Sequence, residues 1–232
     1  MGKVDFKKIT YELNLDLANS GLVVDSFGNA SARTKKDTFC IKPTGAKLND
    51  INFNDISEVN FEGKVLSGLK PSSDTPTHLE LYKAFDDVGG IIHSHSLYAT
   101  AWAQAKLKIP CFGTTHADYW QGSIPITRDL KNNEIRSEYE KETGAVIIEK
   151  LKEIEVSPLE CPGILVSSHG PFCWGASIED AFKNAIRLEY IAKIAFLTIS
   201  INPKINNLGQ ALHDKHFLRK HGIDAYYGQD SD

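Results

Sequence analysis

Residues 89–96, Gly-Gly-Ile-Ile-His-Ser-His-Ser, form the stretch around which we expect the fold to be arranged. The two glycines end a turn, and Ile91 and Ile92 are β-branched residues that favour a buried strand. Successive side chains of a strand point to opposite faces, so His93 and His95 project from the same face. Two imidazoles side by side could hold one divalent cation, although a strand histidine can also be an ordinary core residue.

A third histidine strengthens the metal interpretation. His169 lies just past the apolar run 164–166, and α/β folds commonly place functional groups at strand ends. Three imidazoles with one position left for substrate are typical of catalytic zinc, although manganese or cobalt could also serve. Asp74 is a candidate fourth ligand or a neighbour that orients the ligands, and it is also a candidate helix N-cap. His78 and His116 are interpreted as structural residues or as neighbours that support the ligands, and not as ligands themselves.

Several small and polar residues near turns suggest an anion site. A helix N-terminus favours negative charge, exposed backbone N–H groups and hydroxyls donate hydrogen bonds, and a lysine supplies a cation. Each piece alone is a common turn, but together they predict a phosphorylated small substrate. The candidate residues are Asn29, Lys42, Thr44, Gly45, Ser72 and Ser73.

Composition indicates an ordinary globular protein, with 41% hydrophobic and 24% charged residues. The net charge of −4 comes without long runs of either sign, which argues against binding to nucleic acid or to membrane surfaces. No apolar stretch approaches the ~20 residues of a membrane span, and no signal peptide is recognised at the start. We therefore expect a cytoplasmic protein. The four cysteines have no Cys-x-x-Cys spacing, so no disulfides are expected.

Periodicity predicts a single α/β domain over residues 1–232, because no linker or repeat divides the chain. Helices are predicted over 5–19, from Ser73 or Asp74 onwards, over 99–105, over 134–152 with an interruption at Gly144, from Ser177 to Phe196, and over 210–221. The long helix after Ser177 should pack closely through small residues, namely Ala181, Ala185, Leu188, Ala192 and Ala195. Strands are predicted to start at 22–24 and end at Gly28, and to lie at 38–41, 90–93, 109–112 and 163–166, with a hairpin over 59–66.

Seven short motifs, in order along the chain, resemble the class II aldolase/adducin superfamily. They occupy residues 28–31, 42–45, 71–78, 93–95, 113–119, 168–171 and 215–229. The resemblance implies an α/β/α sandwich whose central mixed, largely antiparallel sheet is flanked by helices. Within the superfamily, the chain is most similar to the L-ribulose-5-phosphate 4-epimerases. The Thr-Thr-His-Ala-Asp-Tyr run and the C-terminal motif favour them, as does Asp74 where fuculose and rhamnulose phosphate aldolases carry glutamate.

The resemblance also implies residue roles. Asp74, His93, His95 and His169 would hold one divalent ion per subunit, with zinc as the first expectation, and the anion-site residues would bind the 5-phosphate of a ketopentose. Asp118 and Tyr227 would be the acid/base pair, with Tyr227 supplied by a neighbouring subunit of a homotetramer. Supporting roles at the interface fall to Thr114, Glu140, His216 and Arg219.

Two other functions stay open at this stage. A class II aldolase of the same fold would release its aldehyde product instead of re-adding it. An adducin-like protein would keep the fold as a binding module without catalysis, although the complete set of three histidines argues against that possibility.

Overall fold

A seven-stranded sheet forms the centre of the protein, in a computed structural model that describes residues 4–25, 27–35, 37–47, 50–222 and 225–226. Its strands are β1 (Gly28–Lys35), β2 (Thr38–Ile41), β3 (Ser57–Asn60), β4 (Val65–Ser67), β5 (Gly90–Ser94), β6 (Gly163–Leu165) and β7 (Pro171–Gly175). They lie in the order β4-β3-β2-β1-β5-β7-β6, and every ladder between them is antiparallel. Strand β5 therefore pairs with β1 on one side and with β7 on the other.

Helices cover both faces of this sheet. In chain order they are α1 (Phe6–Asn19), α2 (Thr75–Ala84), α3 (Leu97–Gln104), α4 (Thr114–Ala117), α5 (Asn132–Arg136), α6 (Tyr139–Glu153), α7 (Ile178–Ile201) and α8 (Gln210–His221). Helices α1, α3 and α7 contact the sheet and one another. Helix α2 lies on the other face, where His78 and Tyr82 meet the hydroxyl of Ser31 in β1, and α6 packs on α2. The expected sandwich of helices around a largely antiparallel sheet is confirmed.

Small residues bring α7 close to the sheet. All five residues of its predicted packing face are buried, and Ser177 caps the helix by accepting a hydrogen bond from the backbone N–H of Asp180. A Cβ atom added at Gly90 would lie 2.3 Å from the Cα of Ile178, so only glycine allows this approach. The glycine before the β-branched pair therefore sets the position of β5 against the long helix.

The prediction of a strand at 22–24 was wrong. No strand forms there, and Gly28, which was taken as the end of a strand, is the first residue of β1. A Cβ atom at Gly28 would lie 2.4 Å from Cγ1 of Val23, so the chain folds back on itself before β1 begins. Polar side chains of β1, such as Asn29, Ser31 and Arg33, point towards α2. The sequence of β1 therefore contains no apolar run from which a buried strand would be predicted.

Two further elements of the structure differ from the prediction. Residues 109–112 form no strand, and Ile109 makes only an isolated bridge with Ile124. The helix predicted over 134–152 is interrupted between α5 and α6, at residues 137–138, and not at Gly144. Gly144 lies inside α6 where it crosses α2, and an added Cβ atom would be 2.9 Å from Cβ of Glu80. The glycine therefore serves helix–helix packing.

The core is continuous under β1, β5 and β7, with Phe172, Trp174, Tyr82 and Phe39 fully buried. All four cysteines are buried as separate thiols. Among the described residues, none of the helices combines the length and apolar character needed to cross a membrane.

Candidate metal and anion site

Three histidine side chains converge at one end of β5. One potential ligand atom from each of His93, His95 and His169 lies within 4.8 Å of the others. The Nε2 atoms of His93 and His95 are 3.2 Å apart, close to the ~3.4 Å expected between two nitrogens bound to one tetrahedral zinc ion. The rings are spaced 4.7 to 5.0 Å between centroids and are steeply inclined, so they surround a common point. The predicted histidine cluster therefore forms, and its donor set fits a divalent metal.

Hydrogen bonds and burial prepare the cluster for a cation. His93 donates from Nδ1 to the carbonyl of Pro171 at 3.0 Å, which leaves its Nε2 lone pair facing the cluster. Nδ1 of His169 lies 3.3 Å from the hydroxyl of Tyr139. Burial lowers the pKa of all three imidazoles, and the neighbouring rings lower the pKa of His93 and His169 further. Neutral imidazoles are the form that binds metal.

Asp74 lies beside this cluster but does not cap its helix through its side chain. The residue occupies the N-cap position of α2 without a side-chain capping bond. Its Oδ2 instead accepts a hydrogen bond of 2.7 Å from Nδ2 of Asn29, a neighbour of His93 across the ladder between β1 and β5. The negative charge of Asp74 also raises the pKa of His95 and His169, against the effect of burial. The carboxylate is thus free of the capping role that the sequence left open for it.

The predicted anion residues line the same hollow as the histidines. A cavity of about 360 Å³ is bounded by all three histidines, Asp74 and the six anion candidates Asn29, Lys42, Thr44, Gly45, Ser72 and Ser73. Lys42 is buried, and its Nζ donates to the carbonyl of Ala46 at 2.7 Å. Burial lowers the pKa of Lys42, while the nearby Asp74 opposes this shift. The N-terminus of α2 adds the positive end of a helix dipole, so the cavity suits an anionic group.

Asp118 lies in a different cluster, formed between α4 and α8. Its carboxylate accepts hydrogen bonds from Nδ1 of His216 at 3.0 Å and from Nε and Nη2 of Arg219 at 3.1 and 2.9 Å. Burial raises the pKa of Asp118, but the bonds from Arg219 and His216 outweigh it, and the net pKa is lowered. Asp118 is not among the residues that line the histidine cavity of its own chain.

The remaining two residues that were predicted to support the interface, Thr114 and Glu140, lie in different parts of the structure. The carbonyl of Thr114 accepts the backbone N–H of Asp118, so Thr114 belongs to the same turn. Glu140 lies in the first turn of α6, where its carbonyl accepts from the hydroxyl of Thr77 in α2. Tyr227 lies outside the described residues, and its role stays a prediction.

His78 and His116 are buried away from the cavity lining, in keeping with the structural roles expected of them. Nδ1 of His78 lies 2.7 Å from the hydroxyl of Ser31, and burial lowers the pKa of His78 to about 3. Burial likewise lowers the pKa of His116 to about 4.

Two aromatic residues near the histidine cluster were missed from the sequence. Phe27 lines the cavity mouth, 57% exposed, with its ring centroid 5.9 Å from that of His95. Its position directly before the Gly-Asn pair was the available signal. Tyr139 reaches His169 from the start of α6, across 30 residues of sequence, and no local pattern marks that contact.

The protein thus has an antiparallel sheet covered by helices, and a cavity that is lined by a histidine cluster and suits an anionic group. The chain belongs to the class II aldolase and adducin family, because residues 9–196 match the family model described as the Class II Aldolase and Adducin N-terminal domain.

Solved structures share the fold. An L-fuculose 1-phosphate aldolase aligns with a TM-score of 0.77 at 23% identity, covering 93% of this chain and 96% of its own. YgbL from Klebsiella pneumoniae aligns with a TM-score of 0.73 at 24% identity, covering 93% and 99%. The L-fuculose-1-phosphate aldolase of Thermus thermophilus aligns with a TM-score of 0.69 at 22% identity, covering 88% and 98%. At these identities the likeness concerns the fold.

Proposed function

We propose that this protein is a metal-dependent isomerase that interconverts L-ribulose 5-phosphate and D-xylulose 5-phosphate. The observation that carries the proposal is the single cavity in which the three histidines and the six anion-site residues meet. A sugar phosphate needs both parts, because its phosphate must be held while its oxygen atoms reach a cation. The cavity volume of about 360 Å³ lies within the range of small-molecule sites.

The chemistry of the substrate requires a carbon–carbon bond to break. Inverting C4 of the ketose cannot proceed by simple proton abstraction, because the hydrogen on C4 is not α to the carbonyl at C2. Cleavage of the C3–C4 bond by a retro-aldol step avoids this difficulty and gives a three-carbon enediolate and glycolaldehyde phosphate. The aldehyde turns to present its other face, and aldol addition reforms the bond with the opposite configuration at C4.

The residues of this chain divide that work. His93, His95 and His169 would hold the divalent cation, with Asp74 as a ligand or close neighbour. When bound, the cation supplies Lewis-acid stabilisation of the negative charge that develops on the ketose oxygens. Lys42 and the N-terminus of α2 hold the phosphate, which keeps the cleaved aldehyde from escaping. Asp118 and Tyr227 would lie on opposite faces of C4. One would accept the proton of the C4 hydroxyl during cleavage, and the other would donate a proton to the aldehyde oxygen when the bond reforms from the other face.

A homotetramer with sites between subunits completes this proposal. Asp118 is held against α8 of its own chain, away from the lining of its own cavity. A neighbouring copy could therefore supply Asp118 as well as Tyr227 to each cavity. The two segments that favour the epimerases in the sequence, around α4 and α8, contact each other and would act as one unit.

An aldolase is the second candidate, supported by the structural likeness to L-fuculose 1-phosphate aldolases. The same cavity would serve an enzyme that releases its aldehyde. A binding module without catalysis is the third, and purified protein that takes up no metal would favour it.

One experiment separates the three candidates. Metal-loaded protein is incubated with L-ribulose 5-phosphate, and both D-xylulose 5-phosphate and free glycolaldehyde phosphate are measured. The proposal expects the ketose to form with little free aldehyde. Stoichiometric free aldehyde would identify an aldolase, and no product with intact metal occupancy would contradict the epimerase and any aldolase that acts on this substrate.

A further inference from the structure

The third ligand of the cluster lies in a constrained turn. Ser168 has a φ of 60°, a conformation that non-glycine residues rarely adopt, and Gly170 leaves no room for a side chain because an added Cβ atom would be 2.9 Å from the carbonyl of Ser94. The backbone N–H of His169 donates a hydrogen bond to the carbonyl of Val166 across this turn. These contacts fix where the side chain of His169 begins, but they do not fix the rotation of its ring.

The ring of His169 has one side-chain hydroxyl beside it. Nδ1 lies 3.3 Å from the hydroxyl of Tyr139, and the ring centroid lies 4.7 and 5.0 Å from those of His93 and His95. The arrangement repeats that of His93, whose Nδ1 donates to the carbonyl of Pro171 while Nε2 faces the cluster. Each of these two rings therefore has an oxygen atom within hydrogen-bond distance of its Nδ1 atom.

Tyr139 is itself firmly placed. It is the first residue of α6, and its carbonyl accepts a hydrogen bond of 2.9 Å from the hydroxyl of Thr143 one turn later. The next residue, Glu140, accepts through its carbonyl from Thr77 of α2, which joins the start of α6 to the helix that carries Asp74 at its N-cap. Close packing at Gly144 holds the two helices together. The hydroxyl of Tyr139 is thus positioned by α6, which packs on the helix whose N-cap residue, Asp74, lines the cavity.

From these contacts we infer that Tyr139 is a positioning residue for the metal centre, whose phenolic oxygen accepts the Nδ1 proton of His169 and so presents Nε2 to the cation. This inference rests on the metal role proposed above for the histidine cluster. Tyr139 does not touch substrate and carries out no chemical step. Its effect is to select one tautomer and one ring orientation before metal arrives, which lowers the cost of ordering the ligand.

Metal affinity tests the inference. Tyr139→Phe removes one oxygen and keeps the ring, and Tyr98→Phe is the matched control, because Tyr98 lies against α7 and touches Phe196. Co²⁺ is titrated into metal-free wild type, both variants and His95→Asn, with visible absorption as the readout. Loss of the hydroxyl should weaken Co²⁺ binding about 10- to 100-fold, the usual effect of removing such a ligand partner, while Tyr98→Phe matches wild type.

A metal-free measurement gives an independent result. Imidazole ¹⁵N chemical shifts of the apo protein, assigned with His169→Asn, should show His169 as the Nδ1–H tautomer in wild type and as a mixture in Tyr139→Phe. If Tyr139→Phe matched wild type in both Co²⁺ affinity and His169 tautomer, the inference about Tyr139 would be wrong, while the metal role of the cluster would stand. If wild type bound no more Co²⁺ than His95→Asn, the metal role of the cluster would fail and the inference with it.

Discussion

Replacement of His95 by asparagine tests the cluster at a residue that lies just beyond the end of β5. The change keeps a polar side chain of similar size and removes one of three ligands. We expect the variant to lose most bound cation and most activity while it remains folded, because two imidazoles hold a divalent metal far more weakly than three. Elemental analysis measures occupancy, and His221→Asn, outside the cluster, serves as the control. Full occupancy in His95→Asn would show that the ligand assignment is wrong.

Lys42 is the cation of the anion site, and its removal should affect binding of the phosphate. Lys42→Met keeps the length of the side chain and deletes the charge. KM for the phosphorylated ketose should rise about 10- to 100-fold, the usual range for a charged hydrogen bond, with little change for the unphosphorylated ketose. Lys47→Met is the matched control, since Lys47 pairs with Asp25 on the surface. Equal losses on both substrates would contradict the assignment.

The histidines of the cluster were predictable because strand alternation and apolar runs mark them locally. The pattern of His93 and His95 follows from the period of two, and His169 follows from its place after a buried strand. The partner of His169 was not predictable, because Tyr139 approaches it through the packing of two helices. Similarly, the bond between Asn29 and Asp74 joins residues 45 positions apart, and it replaced the capping role that the local sequence suggested.

At the scale of elements, the carboxylate of Asp118 accepts three hydrogen bonds across the contact between α4 and α8. Asp118 has a lowered pKa when folded, so its contribution to stability is present above its ordinary pKa of 3.8 and is lost as the pH falls through the lowered value. At pH 7, Asp118→Asn should reduce the free energy of unfolding by about 1–3 kcal/mol, because charged hydrogen bonds from Arg219 and His216 are lost.

Urea unfolding of wild type and Asp118→Asn across a series of pH values measures this effect. The difference between the two proteins should shrink as acid protonates the carboxylate, below its ordinary pKa of 3.8. A difference that does not change with pH would show that shape, and not charge, stabilises the contact.

The crossing of α2 and α6 gives the second prediction at this scale. Gly144→Val should lower the free energy of unfolding by about 1–3 kcal/mol, because the new side chain meets Glu80 and Thr77 in a packed contact. Gly209→Ala is the control, since an added Cβ atom there meets nothing within 4 Å. Thermal and urea unfolding measure both, and a Gly144→Val protein as stable as wild type would show that the helices can separate freely.

Most elements could be predicted, because α1, α7 and α8 have regular apolar spacing and clear end signals such as Ser177. Strand β1 could not, since its polar side chains form hydrogen bonds with residues of α2 and its N-cap, so tertiary contacts decide its structure. The pairing order of the sheet could not be predicted either, because β5 lies between strands that are distant in sequence.

At the scale of the whole molecule, mixed oligomers test whether copies share their sites. His95→Asn removes a cavity residue, and Asp118→Asn removes a residue held away from that cavity in its own chain. If a neighbour supplies Asp118, mixing the two inactive variants should restore part of the activity, because some sites combine an intact cavity with an intact Asp118. Mixed oligomers verified by mass that stay inactive would show that each chain completes its own site. The pair Asp118→Asn and Tyr227→Phe then tests whether those two residues come from the same copy.

The antiparallel ladder around β5 has a consequence for the order in which a newly made chain matures. The anchor of His93 is Pro171, 78 residues further along, so the cluster exists only after distant segments have met. A nascent chain still short of His169 on the ribosome has only two of the three imidazoles of the cluster. Tight binding of an ion by this cluster would therefore wait until residue 169 has been made and the sheet has closed around β5.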